Sequence, residues 1–168
     1  LGVLVSGNIH LVHALLYWIL QLLGAVCGAL IARVVTGTLY VPFFRGGLTL
    51  PAPGVFALSS CICEGMFTYL LVTTVLLVTI DRQSSMGALG IGLSYFVNIL
   101  AGRNLSGASM NPARTFGPAI VWVLFGNDYW FALGQSWVYP VGQFSGAILA
   151  ALVYRGFLAK DDNRVLFK

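Results

Sequence analysis

Residues 106–118 read SGASMNPARTFGP, a polar, proline-broken segment between two long apolar runs. No other feature narrows the fold as much. Irregular backbone cannot face lipid, because its N–H and C=O groups find no partners there. At membrane depth it is tolerated only inside protein or against a water-filled cavity. An arginine in the same place is costly in hydrocarbon and by default marks a path for ions or solutes. The segment therefore predicts a membrane protein with a cavity through it.

The rest of the chain supplies the membrane. Of its 168 residues, 58% are hydrophobic and 8% charged, whereas a soluble domain carries about a quarter charged residues. A water-facing surface cannot be built from this composition, so the expected class is an all-α, multi-pass membrane protein forming a single helical bundle. The net charge of +4 is dispersed, apart from Arg155, Lys160, Arg164 and Lys168 near the C-terminus. No basic patch carries interleaved aromatics, and no nucleic-acid partner is expected. Cys27, Cys61 and Cys63 lie inside apolar runs. A Cys-x-Cys pair without histidines fits no zinc pattern, so they are read as small buried hydrophobes. Leu1 begins in mid-apolar sequence without a charged leader, so no signal peptide is expected and upstream sequence is expected to be missing.

A spanning helix needs about 20 mostly apolar residues. Four stretches meet or approach this: 11–35, 56–80, 86–102 and 130–154. The opening LGVLVSG is too short to span. Gly24 with Gly28, Gly142 with Gly146, and the group Gly87, Gly90 and Gly92 have the small-residue spacing that lets helices approach closely in lipid. Between the spans lie a Gly/Pro-rich loop (36–55), a polar turn (81–85, with Asp81 and Arg82) and a polar tail (157–168). The basic residues near the tail place it in the cytoplasm. The N-terminal end and the 81–85 turn would share that side, with 36–55 and 103–129 opposite.

The segment 103–129 contains an apolar stretch, Thr115 to Phe125, of half a spanning length. Asn111 suits a helix cap and Pro112 the first helical position, so a re-entrant loop and half-helix are expected over about 104–124. Gly107, Ala108 and Ser109 are expected as extended backbone lining a cavity. A half-helix N-terminus carries roughly +0.5 of an elementary charge, and Asn111 would offer its side-chain NH2 beside it. Arg114 adds a full charge and fixed donors one turn along. Such a combination excludes protons and cations while neutral solutes pass. Glu64, unpaired, would be costly within a span, which makes a loop partner the expected arrangement.

The run NILAGRNLSGASMNPARTFGPAIV (98–121) closely resembles the second Asn-Pro-Ala loop of aquaporins, most of all the plant tonoplast intrinsic and animal aquaporin-eight groups. The resemblance extends over 10–35 and 137–154. It implies an aquaporin-like bundle of tilted helices, here a partial one with about four spans and one half-helix. By the same resemblance Asn111, Pro112 and Ala113 match the signature and Arg114 the arginine of the outer constriction. Ile99 and Ala108 fall at two further filter positions, and Glu64 matches the buried glutamate that holds the loop. Ile99 in place of histidine implies a wider, less polar filter, passing water together with ammonia, urea or peroxide. Thr115 is not the aspartate of glycerol channels, which ranks glycerol below water.

The resemblance further implies a homo- or hetero-tetramer with aquaporin subunits in a lipid bilayer, with neither cofactor nor metal. It leaves the membrane of residence open. Only one Asn-Pro-Ala occurs, and Pro140 and Gln143 stand where the family usually has tryptophan and proline. Alone, the chain is therefore not expected to form a normal single-file pore. Two readings remain: a channel polypeptide, or a truncated, non-conducting subunit that modulates full-length partners. An unrelated membrane scaffold or enzyme is a third, and no catalytic constellation supports it. His10 and His13, three apart without a third ligand, are read as a boundary pair rather than a metal site.

Overall fold

In the computed structural model, residues 1–81, 85–126 and 128–160 are described. Arg82, Arg164, Lys168 and the rest of the tail beyond Lys160 lie outside the described residues. Among the described residues seven α-helices run in order: α1 (Gly2–Val5), α2 (Leu11–Thr36), α3 (Ala57–Val75), α4 (Gly87–Gly102), α5 (Pro112–Leu124), α6 (Tyr129–Leu133) and α7 (Val138–Val153). Both α3 and α7 continue into a wider π-helical turn, over Leu76–Asp81 and Tyr154–Leu158. No strand occurs among the described residues. Three helical runs among the described residues are long and apolar enough to cross a membrane, Leu11–Leu39, Ala57–Asp81 and Tyr129–Leu158, and Gly87–Gly102 is apolar but shorter.

The run Tyr129–Leu158 contains the expected span at 130–154, with a turn between α6 and α7 inside it. Helix α6 ends at Gly134, whose N–H reaches Trp130 O at 2.9 Å, and α7 begins four residues later. Asp128 caps α6 by accepting from the Trp130 and Phe131 amides. The Ser136 hydroxyl bonds back to Ala132 O at 2.7 Å, so local hydrogen bonding closes the turn that periodicity alone had joined.

The tightest contact is α3 on α7. A Cβ at Gly142 would collide with the Cys61 carbonyl, and one at Gly146 with that of Gly65. These glycines let the two backbones touch, as the spacing predicted. Gly87 makes a looser close approach, to Val78 O. Gly24 and Gly28 differ: a Cβ at either meets nothing within 4 Å. They sit on the open side of α2, of whose 26 residues only Ala14 and Ala29 are buried. Cys27, expected to be buried, is exposed on that same helix, while Cys61 and Cys63 are half-buried. The inner side of α2 packs on α5, where a Cβ at Gly117 would run into Ala25. The loop 103–111 thus lies between an α3–α4–α7 group and an α2–α5–α6 group.

Candidate functional site

Glu64, on α3, is fully buried. Its Oε1 accepts from the Ser106 hydroxyl at 2.6 Å and the Ser109 N–H at 2.9 Å. Its Oε2 accepts from the Met110 N–H at 2.8 Å and the Gln143 Nε2–H at 2.9 Å. Four donors around one carboxylate satisfy a group that would otherwise be prohibitive to bury. Two of them are successive backbone amides, which only an unusual chain path can aim at one point. Gly107 (φ 88°), Ala108 (φ 48°) and Met110 (φ 55°) all adopt left-handed backbone. The expected extended run at Gly107–Ser109 is therefore a left-handed turn. Its amides form an anion-receiving concavity, filled here by the side chain of Glu64.

Further bonds lock the turn. The Tyr139 hydroxyl donates to Ser106 O at 2.6 Å. Asn98 Nδ2 donates to Phe67 O at 2.9 Å and contacts Met110 Sδ at 3.2 Å. The Ser109 hydroxyl donates to Asn111 O at 2.9 Å and lies 2.7 Å from Thr115 Oγ1. With the Ser109 proton committed, Thr115 must be the donor in that pair.

The half-helix α5 starts where its sequence says it should. Asn111 is the cap, its Oδ1 accepting from the Ala113 N–H at 2.8 Å, and Pro112 occupies the first helical position. Because Oδ1 is committed, the carboxamide NH2 is the polar group left for other partners. One turn on, Arg114 Nη1 donates to Thr49 Oγ1 at 2.7 Å. Thr49 comes from the 36–55 loop, whose Ala52 N–H bonds to Leu105 O at 2.8 Å.

Two cavities flank this segment. One, of about 380 Å³, is walled by Met110, Asn111, Pro112, Ala113, Thr68 and Gln143, together with apolar residues of α2 and α7. The other, of about 450 Å³, is walled by Gly107, Arg114, Thr49, Arg45, Arg103 and Asn104, with the 48–53 loop completing it. The expected site residues thus divide: Asn111, Pro112 and Ala113 face the first cavity, Gly107 and Arg114 the second. Glu64 sits behind both as the anchor. Ala108 is fully buried, on the wall of neither, with its methyl near Gly102. Ile99 is half-buried on α4 and also lines neither. Thr115, 1% exposed and bonded to Ser109, is equally withdrawn.

Two contributors escaped the sequence reading. Gln143 reads as a departure from a usual proline, yet it donates to the central carboxylate. Thr49 reads as one polar residue in a loop. Their partners lie 79 and 65 positions away, and no local signal points to them. The one clue was the cost of leaving a glutamine unpaired in an apolar helix.

The chain matches the family model described as Major intrinsic protein over residues 1–154. It is 41% identical over 157 residues to "Aquaporin TIP1-2" of Zea mays, covering 91% of this chain and 57% of that protein. It is 42% identical over 169 residues to "Aquaporin TIP1-1" of Arabidopsis thaliana, covering 98% and 62%. The chain therefore spans about three fifths of the length of these relatives. Among solved structures, the aquaglyceroporin from Plasmodium falciparum superposes with a TM-score of 0.77 at 21% identity, covering 91% of this chain and 67% of that one. This likeness carries the fold, an aquaporin-like helical bundle of which the chain forms a part.

Proposed function

The chain is an integral membrane protein that belongs to the major intrinsic protein family, and on that premise we propose that it is a channel polypeptide for passive transport of water and small neutral solutes. The observation that carries the proposal is the pair of cavities flanking residues 107–114, one on the Asn111 side and one on the Arg114 side. A molecule passing between them moves from the Asn111 carboxamide and the positive end of α5 to the Arg114 guanidinium. Both present donors to a solute oxygen and repel cations. Glu64 holds these groups at fixed positions, so they need little reorganisation as a solute passes.

In this reading the constriction is formed by Arg114, Thr49 and the backbone at Gly107. Ala108 acts through the backbone turn and Ile99 as apolar packing on α4. Ammonia, urea and peroxide are the further candidate solutes, and assembly is with like or related subunits as a tetramer.

The test is stopped-flow light scattering on proteoliposomes holding the chain alone, or together with a full-length tonoplast relative. Water flux above that of protein-free vesicles for the chain alone supports the channel reading. No flux alone, but altered flux through the co-reconstituted relative, would instead assign a modulating subunit. No effect in either sample sinks both.

A further inference from the structure

The cavity on the Arg114 side collects three arginines and no acid. Arg45, Arg103 and Arg114 all line its wall, with Thr49 and Asn104 between them. Among the described residues, neither the Arg45 nor the Arg103 guanidinium has a hydrogen-bond or ion-pair partner, and Arg114 has Thr49 alone. The chain's five acidic residues offer no relief. Glu64 is committed to the loop, Asp128 caps α6, and Asp81 accepts from the Lys160 N–H and the Tyr154 hydroxyl. Asp161 and Asp162 lie outside the described residues. By contrast Arg33, elsewhere, is stacked 3.9 Å over the Phe125 ring.

The geometry at Arg45 adds a second observation. It holds a left-handed backbone (φ 45°), beside Gly46 (φ 64°) and Gly47 (φ 73°). Left-handed backbone is uncommon for a long side chain and costs energy. Here it sets Arg45 on the same cavity wall as Arg103. Three like charges on one wall repel one another, and a guanidinium presents a rigid fork of donors matched to oxyanions.

We propose that this cavity is a receptor for an oxyanion of phosphate or sulfate type, clamped between Arg45 and Arg103 with the less exposed Arg114 behind. The shared chemistry is a compact group with several anionic oxygens, supplied either by a free ion or by the phosphate of an anionic lipid headgroup. The site does not depend on conduction.

The whole chain in neutral-detergent micelles is titrated with inorganic phosphate at constant ionic strength, with chloride as reference. Binding is read by calorimetry and by melting temperature. Saturable, phosphate-specific binding is expected, weakened at least about tenfold in R45Q/R103Q, since hydrogen bonds to charged groups are lost. The R45K/R103K variant, which keeps charge but loses the forks, should fall clearly below wild type. Both positions are exposed, so these variants should fold. Equal effects of chloride and phosphate, or wild-type affinity in R45Q/R103Q, overturn the site.

Nanodiscs separate the sources. Phosphate binding that persists in both phosphatidylcholine and phosphatidylglycerol discs assigns the free ion. Loss in phosphatidylglycerol alone assigns the headgroup. Water flux is read on parallel proteoliposomes: flux without phosphate binding overturns this site and leaves the channel reading standing, and binding without flux does the reverse.

Discussion

Removing the Glu64 carboxylate should release the loop in a specific order. In Glu64→Leu, four buried donors lose their acceptor. The Ser106 hydroxyl can rotate and the Gln143 carboxamide can re-aim. The Ser109 and Met110 amides cannot move without undoing the left-handed turn set by Gly107, Ala108 and Met110. Each stranded amide costs on the order of 1–3 kcal/mol, so the pair costs roughly 2–6 kcal/mol. Against a whole-domain stability of about 5–15 kcal/mol, the turn should open locally before the bundle melts. Expressed as hydrogen exchange, that is roughly a thirtyfold to twenty-five-thousandfold loss of protection at Ser109 and Met110.

Glu64→Gln sharpens the prediction, because one oxygen survives and an NH2 replaces the other. Placed at Oε2, the NH2 would confront the Met110 N–H and the Gln143 carboxamide, which can flip to accept through its Oε1. At Oε1 it meets the Ser109 N–H and the Ser106 hydroxyl, which can turn to accept. Either placement strands one backbone amide and keeps the other, so Glu64→Gln should lose less protection over Ser109 and Met110 than Glu64→Leu. Residue-resolved exchange in micelles checks both variants. Wild-type protection in Glu64→Leu, or a loss at both amides in Glu64→Gln as large as in Glu64→Leu, would refute the reasoning.

Gly107→Ala forces a Cβ to 2.7 Å from Thr49 Cγ2 at φ 88° and should cost about 1–3 kcal/mol; adding Thr49→Ser, which removes that methyl but keeps the hydroxyl for Arg114, should recover part of the melting temperature. Gln143→Met removes one charge-assisted bond to Glu64, about 1.5–3 kcal/mol, and Gln143→Glu should destabilise more at neutral pH, because a second carboxylate then faces the first; an equal melting temperature for the two would count against a donor role. Gly146→Ala drives a methyl into Gly65 O and should cost at least about 1–3 kcal/mol, whereas Gly24→Ala, facing open space, should be neutral or slightly stabilising by denaturation in the same detergent.

Whatever depends on neighbours within a few residues could be read in advance. The Asn111 cap, Pro112 and the length of α5 follow from local preference, and the apolar runs followed from composition. Glu64 was legible by a different route, the cost of an unpaired carboxylate, and the Asn-Pro-Ala-Arg run carried the family. The backbone at Ala108 and Met110 was not legible. Neither residue type favours left-handed φ, which is imposed by the carboxylate their neighbouring amides must reach. The α6–α7 turn was hidden because its four residues, Gly134 to Trp137, are too few to offset the apolar residues on either side. Gly24 and Gly28 show the converse error, since spacing permits a close contact but does not supply the partner.

The two cavities differ in what keeps them in shape. On the Arg114 side, Arg114 bonds to Thr49, Ala52 of the same loop to Leu105, and Gly107 to Gly102; Ser109 ties the turn to Glu64, which sits on the close α3–α7 contact. On the Asn111 side one wall is α2, a helix with two buried residues, held chiefly by the approach of Gly117 to Ala25. Hydrogen bonds weaken steeply with displacement, while an apolar helix face can slide against lipid at little cost. The donors of the candidate path are therefore set by the interior of the chain. The width beside Asn111 is set by what lies against α2. Changes of lipid or assembly partner should alter the rate of passage more than the choice of solute.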